Sequence, residues 1–77
     1  MKDHPVLLDL KSVPCPLNVV KCKLALEKTS IGDHIFVELD RGEPEYMVKA
    51  TLLQMGYKVQ TIKEQETFVK FLVTNDS

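Results

Sequence analysis

The chain has 77 residues with a net charge of −1, and 44% of its residues are hydrophobic. This length and composition predict a single domain over residues 1–77, with an ordered core over about residues 6–74. The balanced charge lacks the basic excess that phosphate binding needs, so nucleic acid is not an expected partner. No run reaches the ~20 apolar residues that cross a bilayer, and the first residues do not have the shape of a signal peptide. We therefore expect a cytoplasmic protein with no membrane partner.

The hydrophobic pattern predicts six elements in the order β-α-β-α-β-β. They are a strand over 6–10, a helix over 17–28, a strand over 34–39, a helix over 44–55, and strands over 57–63 and 67–74. The first strand is a short apolar run, and Pro16 suits the first turn of the helix that follows. Asp40 or Gly42 is expected to cap the second helix. Residues 75–77 are expected to fray.

The same order predicts the fold class. Both helices must bury an apolar face, and the simplest arrangement packs them together on one face of a four-stranded mixed sheet. A right-handed crossover makes the first β-α-β unit parallel. The expected fold is an α/β (α+β) two-layer sandwich. Glu43 and Glu45 are expected on the solvated surface, where they complement the dipole of the second helix.

Cys15 is the residue whose position points to chemistry. It follows a strand, lies between Pro14 and Pro16, and precedes a helix, so the prolines restrict the backbone on both sides. The N–H groups and partial positive charge of a helix N-terminus stabilise a thiolate. Lys21, about one turn along, would add positive charge if its side chain folded back. The alternative is that Cys15 is a small buried hydrophobe with an inert thiol; position alone leaves both open.

Cys22 lies seven residues after Cys15. On one helix the two residues would be roughly 10 Å apart along the axis, beyond the reach of a disulfide. Its spacing to Val19 and Leu26 predicts a core position. The alternative is a second thiol that resolves or receives sulfur. No Cys-x-x-Cys pair is present and the two histidines have no ligand spacing, so we expect no metal and no cofactor.

The first helix carries a second apolar stripe, formed by Leu17, Val20 and Leu24. This stripe is rotated by well over 100° from the first one at 3.6 residues per turn. It either packs against the second helix or faces outward beside Cys15 as a partner-docking patch.

Several segments together resemble the TusA-like (SirA-like) sulfur-carrier proteins. They are Leu8-Asp9-Leu10, Pro14-Cys15-Pro16-Leu17-Asn18-Val19, Leu24-Ala25-Leu26-Glu27, Gly32-Asp33, Asp40-Arg41-Gly42-Glu43-Pro44 and Met55-Gly56-Tyr57-Lys58-Val59. The resemblance implies a two-layer sandwich whose Cys-Pro-x-Pro signature opens the first helix. The family cysteine maps onto Cys15 and the first proline onto Pro16. Asn18 stands where the second proline would fall.

The resemblance also implies a function. Cys15 would relay sulfane sulfur as a persulfide from a donor, such as a cysteine desulfurase or a rhodanese-like protein, to an acceptor protein. Pro14 and Pro16 would position the thiol, Asn18 would shape the helix start, and Lys21 would stabilise the anion. We expect a monomer. The pathway stays open among tRNA thiolation, molybdenum-cofactor assembly and sulfur oxidation. The alternative is a non-catalytic interaction or regulatory module in which Cys15 is idle.

Overall fold

A computed structural model describes residues 6–14 and 16–75 of the chain. The elements are β1 (Val6–Asp9), α1 (Leu17–Glu27), β2 (His34–Asp40), α2 (Glu43–Gln54), β3 (Lys58–Glu64) and β4 (Phe68–Thr74). The predicted order β-α-β-α-β-β is confirmed, and so is the two-layer fold class. Within the described residues, no helix is long and apolar enough to cross a membrane.

The four strands form one mixed sheet in the order β1-β2-β4-β3. β1 pairs with β2 in parallel, and β4 runs antiparallel to both β2 and β3. In the register, Val37 lies opposite Leu8 on one side and Phe71 on the other. Because β4 lies between β2 and β3, the last strand of the chain is an interior strand of the sheet. β2 and β3 are parallel to each other, so α2 connects two parallel strands across β4, as α1 connects β1 to β2.

One face of the sheet forms the core with the two helices. Its fully buried side chains are Ile35, Val37 and Leu39 on β2 and Val69, Phe71 and Val73 on β4. The helices add Cys22 and Leu26 from α1 and Val48 and Leu52 from α2. Both helices contact β2 and each other. Each large apolar side chain buried here stabilises the fold by about 1.5–3 kcal/mol relative to exposure. The two helices therefore form a single layer whose outer side faces away from the sheet.

The turn after α1 is tied to the end of the chain. The N–H of Gly32 donates to the carbonyl of Asn75 at 2.7 Å, and the N–H of Asn75 donates to the carbonyl of Asp33 at 2.8 Å. The Asn75 amide also donates to the Thr29 hydroxyl at 2.9 Å. The prediction that residue 75 frays is therefore wrong, because these bonds pair its backbone in both directions.

The start of α2 confirms Gly42 as the cap, one of the two residues predicted, and differs from the prediction for Glu45. Gly42 is the N-cap residue, with a φ of 96° that favours glycine, and its N–H donates to the Glu45 carboxylate at 3.3 Å. The same Glu45 oxygen accepts from Arg41 Nε at 2.9 Å. Glu45 is therefore buried rather than solvated, because a charged partner and a backbone N–H compensate its burial. Asp40 does not cap the helix; its carboxylate accepts the Ser12 N–H.

The face of the sheet that the helices leave open is covered by its own lysines. Lys11 Nζ lies 4.9 Å from the ring centroid of Phe68, and Lys70 Nζ lies 5.3 Å from that of Phe36. The Glu38 carboxylate accepts a 2.7 Å hydrogen bond from Lys11, which raises the pKa of Lys11, and lies 4.0 Å from Lys70. These two lysines therefore contact both a ring and a carboxylate within the chain.

Candidate functional site

Cys15 lies outside the described residues, so the site is described by the residues on either side of it. Pro14 and Pro16 are both exposed. The N–H of Asn18 donates to the Pro14 carbonyl at 3.1 Å, and the N–H of Val20 donates to the Pro16 carbonyl at 3.1 Å. The first of these bonds spans position 15. Pro16 is the N-cap of α1, one residue before the helix begins, rather than part of its first turn.

The segment that leads to position 14 is held by the end of β2. Ser12 has a φ of 68°, a left-handed conformation that a residue with a Cβ rarely adopts. Its N–H donates to the Asp40 carboxylate at 2.9 Å, and the N–H of Val13 donates to the Leu10 carbonyl at 3.1 Å. These bonds hold a strained turn two residues before Pro14.

Asn18 is fully buried. Its side-chain oxygen accepts the Val19 N–H at 2.7 Å, while its Nδ2 has no hydrogen-bond partner among the described residues. A buried amide donor without a partner lowers the stability of the fold by about 1–3 kcal/mol, so the Asn18 side chain is an unfavourable feature of the folded state. A proline at this position would have neither of the two bonds that Asn18 makes, because it lacks both the N–H and the amide oxygen.

The amides at the start of α1 are largely occupied. The N–H groups of Asn18, Val19 and Val20 are hydrogen-bonded, as described above. Leu17 has the first-turn N–H for which no partner is found in the described part of the chain. The helix start therefore offers fewer unpaired donors than the sequence predicts, although the partial positive charge of the helix remains.

The second apolar stripe of α1 faces solvent. Leu17, Val20 and Leu24 are 46%, 46% and 54% exposed. At 100° per residue they lie opposite the buried residues Asn18, Cys22 and Leu26. This exposure favours the outward-facing alternative over packing against α2. We call Leu17, Val20 and Leu24 the α1 patch.

Lys21 lies one turn after Leu17 on the edge of the α1 patch and is exposed. It makes no ion pair with any described residue. The side chain is therefore not held by a carboxylate elsewhere in the described structure.

Cys22 belongs to the hydrophobic core. It is fully buried beside the other core residues, and burial raises the pKa of its thiol to about 12. At neutral pH the thiol stays protonated, and a protonated buried thiol is a poor nucleophile. The structure therefore favours the core assignment of Cys22 over a second sulfur-exchanging thiol.

Sequence reasoning missed the contact between Asp40 and Ser12. The two residues are 28 positions apart, and Asp40 was one of two residues expected to cap α2. An aspartate at the end of a strand is a typical hydrogen-bond acceptor for a nearby backbone N–H. The sequence does not show that the donor is the distant Ser12.

The fold is shared with a protein of known structure. A SirA-like protein from Desulfitobacterium hafniense has a structure that superposes with a TM-score of 0.78, covering 94% of this chain and 99% of that chain. The two sequences are 19% identical, so this likeness shows the fold alone. Among proteins with curated descriptions, no sequence matches.

The sequence pattern of the family described as sulfurtransferase TusA matches residues 6–75, nearly the whole chain. The chain therefore belongs to the TusA sulfurtransferase family. Membership supports a sulfur-carrier or sulfurtransferase role in general terms, and proteins of this family interact with sulfur donor and acceptor proteins.

Proposed function

We propose that this protein carries sulfane sulfur as a persulfide on Cys15. It takes the sulfur from a donor such as a cysteine desulfurase or a rhodanese-like protein and passes it to an acceptor protein. The observation that carries the proposal is the family match over residues 6–75, within which Cys15 stands between two prolines ahead of α1.

The proposed transfer is a thiol–persulfide exchange. The Cys15 thiolate attacks the outer sulfur of the donor's persulfide, R–S–SH. The donor's S–S bond breaks, R–S⁻ leaves, and Cys15 holds –S–SH. The second step is the same exchange with an acceptor thiolate, which regenerates the Cys15 thiolate. One sulfur atom moves in each step and no external oxidant or reductant is consumed.

The neighbouring residues support this role in different ways. Pro14 and Pro16 restrict the backbone on both sides of Cys15. The N–H of Asn18 donates to the Pro14 carbonyl and so links the residues on either side of position 15 in the chain. Lys21 has no ion-pair partner among the described residues, so its charge is available to an anion on Cys15. We assign these four residues to positioning the thiol and stabilising its charge.

A carrier must bring its thiol into contact with other proteins. The α1 patch begins two residues after Cys15 and is exposed, so we assign Leu17, Val20 and Leu24 to partner docking. The protein would act as a monomer in the cytoplasm, where thiols are kept reduced.

The direct test is to incubate the protein with a cysteine desulfurase and L-cysteine and to measure its intact mass without reductant. We expect one added sulfur atom, about 32 Da, on the wild type and none on Cys15→Ser. Cys22→Ala is the matched control and keeps the adduct. An unmodified wild type, or an adduct that survives Cys15→Ser, would contradict the proposal and favour an interaction module with an idle Cys15.

A further inference from the structure

The side-chain amide of Asn18 has a hydrogen-bond donor that the described residues leave unused. Asn18 is fully buried, and its Nδ2 has no hydrogen-bond partner in the described part of the chain. A buried donor without a partner is unfavourable, because folding has removed its bonds to water. Such a group calls for an acceptor at the same place in the fold.

The orientation of this amide is fixed by its neighbour. The side-chain oxygen of Asn18 accepts the Val19 N–H at 2.7 Å. A flipped amide would set Nδ2 against that N–H, so that two donors faced each other. An aspartate at this position would accept the same N–H without bringing an unpaired donor. Binding the Val19 N–H therefore does not explain why the side chain is an amide.

The place of Asn18 on α1 selects the part of the chain that its amide can reach. Asn18 is the second residue of the helix. Helical side chains lean towards the N-terminus, over the residues three and four positions earlier, which here are Cys15 and Pro14. The Pro14 carbonyl already accepts the backbone N–H of Asn18 at 3.1 Å. Residue 15 is therefore the neighbour to which the free Nδ2 is directed by its position in the chain.

The backbone at the start of α1 has little left to offer an anion. The N–H groups of Asn18, Val19 and Val20 are hydrogen-bonded, and in the described chain the Leu17 N–H is the first-turn donor without a partner. A thiolate at a helix N-terminus depends on such free donors. The Asn18 Nδ2 supplies a second one, and Lys21 on the same turn makes no ion pair with any described residue.

We infer that Asn18 Nδ2 donates a hydrogen bond to the Cys15 thiolate. The bond satisfies the buried amide and stabilises the anion, and a hydrogen bond to a charged acceptor is about twice as strong as one between neutral groups. A proline at position 18 has no such donor. This inference rests on the proposed function, because that function gives Cys15 its reactive thiolate.

The bond acts in both steps of the proposed exchange. In the first step it raises the fraction of Cys15 that is thiolate and can attack the donor's persulfide. In the second step an acceptor thiolate takes the outer sulfur, the S–S bond breaks, and the electron pair of that bond goes to the Cys15 sulfur. A donor at that sulfur makes Cys15 a better leaving group. Asn18 is then a direct donor to the reacting atom.

The first test is the pKa of the Cys15 thiol, measured from the rate of alkylation by iodoacetamide against pH. Peptide mass locates the modified cysteine. Asn18→Leu replaces the amide by an apolar side chain of similar size. We expect the pKa of Cys15 to rise by about 1 or more, so that the thiolate fraction near neutral pH falls about tenfold. An Asn18 with a purely structural role would leave this pKa unchanged.

The matched control is the same substitution at Asn75, the other asparagine of the chain. Its amide donates to the Thr29 hydroxyl at 2.9 Å, beyond the C-terminal end of α1. Asn75→Leu should lower stability and keep the wild-type pKa of Cys15. It therefore separates general loosening of the fold from loss of the donor at residue 18.

The second test needs no change at Asn18. In the wild type, the side-chain ¹⁵N–¹H resonances of Asn18 should shift with the titration of Cys15, and this shift should be absent in Cys15→Ser. The Asn75 side-chain resonances should not follow that titration. This measurement decides the matter if Asn18→Leu does not fold.

The outcomes separate this inference from the proposed function. If a cysteine desulfurase with L-cysteine adds no sulfur to the wild type by intact mass, the proposed function fails, whatever the pKa of Cys15. If the wild type is loaded but Asn18→Leu keeps the pKa of Cys15, the inference alone fails. It fails equally if the Asn18 resonances do not follow Cys15. The amide then pairs with a backbone carbonyl or a buried water.

Discussion

At the scale of single residues, Cys22 is the cysteine whose surroundings the structure describes. Cys22 is enclosed by core side chains, and burial raises its pKa from 9.0 to about 12. Cys15 is flanked by exposed prolines. Sulfur exchange requires a thiolate that a partner can reach, and the buried, protonated thiol of Cys22 meets neither condition.

The pKa of Cys22 predicts how stability depends on pH. In the unfolded chain this thiol ionises above pH 9.0, whereas in the folded protein it stays protonated to about pH 12. Its contribution is therefore fully present below pH 9.0 and is lost as the pH rises between these values. Near pH 10 the loss is about 1.4 kcal/mol in the free energy of unfolding.

Urea unfolding of the wild type and of Cys22→Ala, at neutral pH and near pH 10, measures this effect. The stability difference between the two proteins should shrink by that amount at the higher pH. A difference that is the same at both pH values would show that folding does not perturb the thiol.

At the scale of elements, the turn before Cys15 depends on the end of β2. Asp40 accepts the N–H of Ser12, whose positive φ is unfavourable for a residue with a Cβ. We expect Asp40→Ala to lower the free energy of unfolding by about 1–2 kcal/mol, because a charge-assisted hydrogen bond is lost. Asp40→Asn keeps an acceptor oxygen and should recover part of the loss.

Ser12→Gly is the complementary variant for this turn. Glycine adopts positive φ without the steric cost, so it should stabilise the protein by about 0.5 kcal/mol after its greater entropy loss. Urea unfolding measures all three variants. An unaltered midpoint for Asp40→Ala would mean that the carboxylate does not hold the turn.

The two faces of α1 predict different effects for the same substitution. Leu26 is fully buried, so Leu26→Ala should cost about 2–5 kcal/mol. Leu24 is 54% exposed on the α1 patch, so Leu24→Ala should change the free energy of unfolding by less than about 0.5 kcal/mol. Thermal or urea unfolding of the pair checks this. Comparable losses would place Leu24 in a contact that the structure does not have.

The elements themselves could be read from the sequence because their signals are local. Gly, Pro and hydrophobic periodicity indicate all six elements, and the sequence alone shows Cys15 between two prolines ahead of a helix. The strand order could not be read, because the position of β4 between β2 and β3 depends on pairings between distant segments. The burial of Asn18 and Glu45 was missed for the same reason: each depends on neighbours that packing supplies.

At the scale of the whole molecule, six of the ten exposed large hydrophobic side chains of the described residues lie on the two helices. On α1, Lys21 and Lys23 make no ion pair with any described residue and lie beside the exposed α1 patch, whereas Lys11 and Lys70 on the opposite face of the sheet approach Glu38. A molecule of this size then has one side suited to partners, next to the helix start that follows Cys15. On the proposed function, donor and acceptor use this side in turn.

Successive use of one side predicts a kinetic pattern. With donor and acceptor both varied, double-reciprocal plots of sulfur delivery should give parallel lines, as in a ping-pong reaction. The carrier should also be inhibited by excess acceptor, which occupies the side that the donor needs. Intersecting lines would indicate that donor and acceptor bind together, on different surfaces.

The exposed helix layer also limits how tightly any partner should be held. On the proposed function, each delivery ends only when one protein leaves and the next arrives, so the residence time of each partner contributes to the rate of sulfur transfer. Unpaired lysines speed arrival, and affinity differences between related complexes lie mostly in the rate of departure. A larger apolar surface would lengthen each visit and slow delivery. A modest apolar area with a positive edge combines quick capture with quick release.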